Sequence, residues 1–123
     1  MNRIVLSMLV LLQIMWSSCS EDEPINETGT ASLIVKVVHV DGTSVKDATV
    51  NLYGSQLDFQ NETNMITSLK TDELGEAYFK ELELKQYWFV VLFNEYSNAT
   101  SISTTGRALN KDERLEKTTQ LRK

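Results

Sequence analysis

The sequence predicts an all-β domain, a seven-stranded antiparallel sandwich of two sheets, over residues 31–123. Three observations carry this prediction. From residue 31 onward the chain runs in short β-branched and aromatic stretches punctuated by Asp, Gly and Asn, the pattern of strands and tight turns. Helical periodicity is absent until the last few residues. A chain of 123 residues, 41% apolar and 24% charged, has room for one small globular domain with extra segments and none for a second.

The strands follow in order. Residues 31–40, ASLIVKVVHV, hold too many adjacent β-branched side chains to favour a helix, and their near-continuous apolarity predicts burial on both faces. Asp41 and Gly42 end this strand with a turn. Residues 48–53, ATVNLY, alternate, so Ala48, Val50 and Leu52 face the core and Thr49, Asn51 and Tyr53 the other side. Residues 54–64, GSQLDFQNETN, form a polar irregular stretch expected to cross the surface between sheets. Residues 65–71 and 76–80 form a hairpin around Asp72-Glu73-Leu74-Gly75, where Asp72 can accept backbone hydrogen bonds and Gly75 can take a positive φ. Residues 87–93, YWFVVLF, are the most apolar run and read as a central strand; residues 101–105 and 115–121 supply the last two strands.

The first thirty residues stand apart. A short positive start ending at Arg3 is followed by IVLSMLVLLQIMW, residues 4–16, the layout of an export signal. As a helix this run would reach roughly 20 Å, short of the ~30 Å hydrocarbon core that a permanent span must cross. Small Ser17 and Ser18 then precede Cys19, the one cysteine of the chain. The arrangement resembles the lipobox of bacterial lipoproteins, with Trp16 where that family has an aliphatic residue; ordinary signal cleavage near Ser18 or Ser20 is the alternative. The resemblance implies a signal peptide over residues 1–18, cleavage between Ser18 and Cys19, and acyl chains on Cys19 as a membrane anchor, the covalent lipid being the chain's one non-protein group. More than one chain is needed, because a single acyl chain binds membranes only marginally. Ser20, Glu21, Asp22 and Glu23 resemble the export signal that carries Bacteroidetes-type lipoproteins to the outer face of the outer membrane; a periplasm-facing location is the alternative. Residues 19–30 then read as a polar, disordered tether whose like charges keep it extended.

VHVDGTSVKDATVNLYGS and KTDELGEAYFKELELKQYWFVV carry a second resemblance. Over residues 33–92 the chain is similar to the carboxypeptidase regulatory-like, transthyretin-like β-sandwich family, with Thr71, Asp72, Gly75, Ala77, Phe79, Leu82 and Tyr87 on its motif positions. Residues 94–123 depart from the pattern. The family implies a noncatalytic scaffold, an accessory or extracellular module.

Composition narrows the function further. A net charge of −5 and a pI near 4.8, without a basic cluster, argue against nucleic acid. His39 is the single histidine, so no Ser-His-Asp, Cys-His or histidine-rich zinc constellation can be assembled, and neither an enzyme nor a metal site is expected. Related pilin stalk domains join a first-strand lysine to a last-strand amide; Lys36 fits the first position, but residues 115–121 offer no Asn or Asp. Three Asn-x-Thr sequons, at Asn26, Asn61 and Asn98, mark polar segments expected to be exposed. The leading expectation is a surface-anchored binding or accessory module for an unidentified protein or glycan, with Tyr53, Phe59 and Tyr96 as its contacts on residues 54–64 and 94–98; Trp88 is expected to pack. Alternatives are an assembly subunit that pairs through an edge strand and, by fold analogy, a small-molecule carrier.

Overall fold

The computed structural model describes residues 29–123. The predicted signal peptide, Cys19 and the Ser20, Glu21, Asp22, Glu23 segment lie outside the described residues. The elements run β1 (Ala31–His39), β2 (Thr49–Tyr53), α1 (Gln56–Asn61), β3 (Thr67–Lys70), β4 (Glu76–Leu82), β5 (Trp88–Phe93), β6 (Tyr96–Ser97) and β7 (Arg114–Leu121). They form a two-sheet sandwich. One sheet has the order β4-β1-β7 and the other β3-β2-β5-β6.

Alternation along each strand builds the core. Leu33, Val35 and Val37 of β1 meet Val50 and Leu52 of β2, Ala77 and Phe79 of β4, and Phe89 and Val91 of β5 in one buried cluster. Ala48, Val50 and Leu52 point inward as their spacing predicts. Ile34 and Val38 are buried on the opposite face of β1, so the central strand is covered on both sides, as its apolar run requires. Burial of this cluster holds the domain together. Each large apolar side chain contributes about 1.5–3 kcal/mol, whereas exposed ion pairs such as Lys46 with Glu73 and Lys123 with Glu95 contribute about 0–1 kcal/mol each.

The turn over residues 72–75 has a clear physical basis but is no hairpin: β3 pairs with β2 and β4 with β1, so the turn carries the chain from one sheet to the other. Asp72 Oδ1 accepts from Leu74 N at 2.9 Å and Glu76 N at 3.0 Å. Gly75 has φ +78°, and its carbonyl accepts from Val37 N at 2.7 Å, fastening the turn to β1. Gly42, at φ +91°, makes the turn after β1, where Asp41 Oδ1 accepts from Thr43 N and Oγ1.

Four features differ from the sequence expectation. Residues 54–64 do not cross between sheets, because the β2 and β3 strands they join are antiparallel neighbours in one sheet, and they are not irregular throughout: Ser55 accepts from Asp58 N as an N-cap, and Glu62 closes α1 in the left-handed conformation. Residues 101–105 form no strand. Their hydroxyls and carbonyls instead brace the start of β5, with Phe89 N donating to Ser103 O, Thr105 N to Tyr87 O and Thr104 Oγ1 to Tyr87 O. The seventh strand is therefore β6, beyond the tight turn that contains Asn94 at φ 55°. Finally, β7 runs parallel to β1, from Ser32↔Arg114 to His39↔Leu121, while every other named strand pair is antiparallel. The long return before β7 permits this, since parallel neighbours need a crossover connection.

Candidate functional site

The outer face of the four-stranded sheet carries the site. Along β5, Phe89 and Val91 point into the core, which leaves Val90 and Leu92 on the opposite face. Leu92 is 44% exposed. On one side of this apolar floor stands α1 with Phe59, Gln60 and Glu62; on the other stands the segment with Ser97, Asn98 and Ala99, and Ser103 completes the rim. Together they enclose a cleft of about 320 Å³, within the range of small-ligand sites, ~300–1,000 Å³.

Both walls are fixed by internal bonds. Behind α1, Asp58 Oδ1 accepts from Thr63 Oγ1 at 3.3 Å and Asn64 Nδ2 at 3.1 Å, and the Glu62 N–H caps the helix carbonyls. In the facing wall, Asn98 Oδ1 accepts from Val91 N at 3.0 Å, while Nδ2 donates to Phe89 O at 3.2 Å and Ile102 O at 3.1 Å. Asn98 is 3% exposed. Its sequon lies on an exposed segment, with Ala99 and Thr100 at the surface, but Asn98 itself is the exception: its side-chain amide replaces ladder bonds where β6 ends, which demands burial.

The sequence-predicted contacts divide. Phe59 borders the cleft and is half-buried. Tyr53 lies on the outer face, as alternation requires, but the residue is only 3% exposed and its ring meets Phe59 edge-on at 6.3 Å. Burial, with the Glu62 carboxylate adding to it, holds the Tyr53 phenol above its usual pKa. Tyr53 therefore supports the wall and is closed to a ligand in this structure. Tyr96 sits instead against His39, with ring centroids 5.8 Å apart, and His39 also meets Phe93 edge-on. Trp88 is half-buried beside Tyr53 and bridges to Thr104. Gly42, Asp72 and Gly75 are turn residues away from the cleft lining.

Sequence reasoning missed Gln60, Glu62, Val90, Leu92 and Ser103. The signal for Val90 and Leu92 was present in the alternation with Phe89 and Val91, but uniform apolarity masked it. For Gln60 and Glu62 it was the Ser55-x-x-Asp58 capping pattern, which announces a short helix.

Other chemistry is sparse among the described residues. They contain no group of three His, Cys, Asp or Glu able to hold a metal ion, and no helix long and apolar enough to cross a membrane. Lys36 lies on the outer face of its sheet between Glu76 and Thr118, and its Nζ donates to Leu74 O at 3.2 Å. That position points it away from the core.

No protein-family model matches the chain, and no curated protein matches it in sequence. Among solved structures it resembles part of the Bacillus anthracis TIE protein, at 21% identity and a TM-score of 0.59, over 80% of this chain and 18% of that one. A group B streptococcus pilus 2b backbone protein aligns at 16% identity and a TM-score of 0.46, over 84% of this chain and 47% of that one. The chain thus spans less than half the length of either. The likeness to the TIE protein establishes the fold, a β-sandwich consistent with the transthyretin-like and immunoglobulin-like class; the carboxypeptidase regulatory-like resemblance rests on the motif.

Proposed function

We propose that this chain is a noncatalytic envelope lipoprotein of the Bacteroidetes type, anchored in the outer membrane by acyl chains on Cys19, whose carboxypeptidase regulatory-like sandwich serves at the cell surface as a binding or accessory module. The cleft between α1 and the Ser97, Asn98 and Ala99 segment is the observation that carries the binding role. It draws together the two loop regions that the sequence marks for contact and furnishes them with an apolar floor and rigid walls. The anchor rests on the order of charge, apolar run, small residues and Cys19 in the sequence. Residues 20–30 would span up to about 40 Å when extended, enough to hold the domain clear of headgroups.

The edges of the sheets favour this reading over an assembly subunit. β3 carries Lys70, and β4 carries Lys80 and Glu81; edge charges of this kind oppose strand addition. The anchor is tested by replacing Cys19 with serine and fractionating cells, with protease treatment of intact cells as the second arm. The expected results are release of the variant from membranes and digestion of the wild-type domain from outside. A Cys19→Ser variant that stays with the membranes would refute the anchor, and a domain protected on intact cells would refute surface exposure.

A further inference from the structure

We propose that the cleft recognises a neutral saccharide unit, an inference that rests on the binding-module reading and names its ligand class. The argument is one of complementarity. The bonds that fix the walls use Ser55, Asp58 and Asn98; none of them uses the Gln60 amide, the Glu62 carboxylate or the Ser103 hydroxyl, which belong to residues lining the cleft. Beside them lie Phe59, Val90 and Leu92. A sugar ring presents this same pairing, a face of C–H groups bordered by hydroxyls that both donate and accept.

Charge and backbone geometry disfavour anionic ligands and strand-adding peptides. No lysine, arginine or histidine lines the cleft, whereas Glu62 does; an anionic ligand would meet an unopposed carboxylate in a partly desolvated site. A peptide that binds by strand addition would require a row of free main-chain groups. The floor offers none, because β5 is paired on one side with β2 and on the other with β6 and the Asn98 amide. A volume of about 320 Å³ suits a terminal unit of one or two rings, with the remainder of the chain leaving toward solvent. Because the backbone of both walls is already fixed, only the Gln60 and Glu62 side chains need ordering on binding, which limits the entropic cost of association.

The test presents the purified full chain to three immobilised panels: neutral oligosaccharides, the same oligosaccharides bearing sulfate or carboxylate, and peptides. Retention on neutral oligosaccharides is expected, weakened at least about tenfold by Leu92→Arg, which fills the floor, and by Gln60→Ala, which removes an exposed amide. Both sites are at the surface, and an unchanged unfolding transition confirms that the variants remain folded. Retention only on the acidic panel would overturn the proposal. Retention only on peptides, abolished by Leu92→Arg, would overturn the ligand class and leave the binding module standing. Retention on none of the panels would remove both.

Discussion

Replacing Gly75 with alanine probes the joint between the β3–β4 turn and β1. The glycine has φ +78°, and a Cβ placed on it would lie 2.7 Å from Val37 O and 3.1 Å from Val45 N. Those two atoms are hydrogen-bonded to each other at 3.0 Å. The added carbon would therefore wedge into a backbone bond, and both neighbours are main chain, so no rotamer change can relieve the contact. The left-handed conformation costs an L-residue about 1–2 kcal/mol, and a weakened backbone bond about 0.5–1.5 kcal/mol. Disturbance of the Val37 N to Gly75 O bond brings the expected total to about 2–4 kcal/mol. For a domain of this size that corresponds to a fall in Tm of roughly 10–30 °C. Gly42→Ala is the control, because its φ is +91° but nothing lies within 4 Å of the added carbon; it should show the conformational cost alone, about 1–2 kcal/mol. Urea or thermal unfolding measures both. Equal losses in the two variants would refute the steric argument.

Three further outcomes are expected. Asn98→Ala should destabilise by about 2–4 kcal/mol in urea unfolding, since it strands Val91 N and Phe89 O in a buried setting and leaves Ile102 O with Thr119 Oγ1 as its donor; a loss below about 0.5 kcal/mol would mean that the stranded groups find water. Thr71→Val keeps the shape but removes a hydroxyl that accepts from Ala48 N at 2.9 Å and donates to Val45 O at 2.6 Å, and should cost about 1–3 kcal/mol. Glu113 is held down to a pKa of about 2 by hydrogen bonds from Arg107 and from the Asn110 N–H. Because the folded value is depressed, the stabilisation is complete above the ordinary carboxylate range and is lost as pH falls through about 2. Arg107→Ala should thus flatten acid unfolding below pH ~4.5, and acid titrations of the two proteins that run parallel would count against the pairing.

The strands that alternate were legible because period-two patterning is a local property. Ala48, Val50 and Leu52 could be assigned to the core before any partner was known, and Asp72 and Gly75 could be read as a turn from their side-chain chemistry. Strand direction was not legible. The alternation in β7 is the same whether it runs parallel or antiparallel to β1, and only the route of residues 98–113 decides. Residues 101–105 have strand composition, yet their pairing stops at a single bridge between Thr104 and Trp88, because Asn98 and β6 occupy the β5 edge from Phe89 onward. The cleft was half legible. Its loops and Phe59 were marked, but Tyr53 was taken for a contact because alternation gives the face of a residue and not what covers it.

By itself, then, the sequence determined the β class, the inward face of each alternating strand and the chemistry of the turn at Asp72 and Gly75, all of which follow from side chains acting on their own backbone. The tertiary structure decided that α1 closes over Tyr53, that Val90 and Leu92 become the floor of a cleft, and that β7 returns parallel to β1. These depend on which distant segments compete for the same edge and the same apolar surface, and that competition is settled only when the chain is packed.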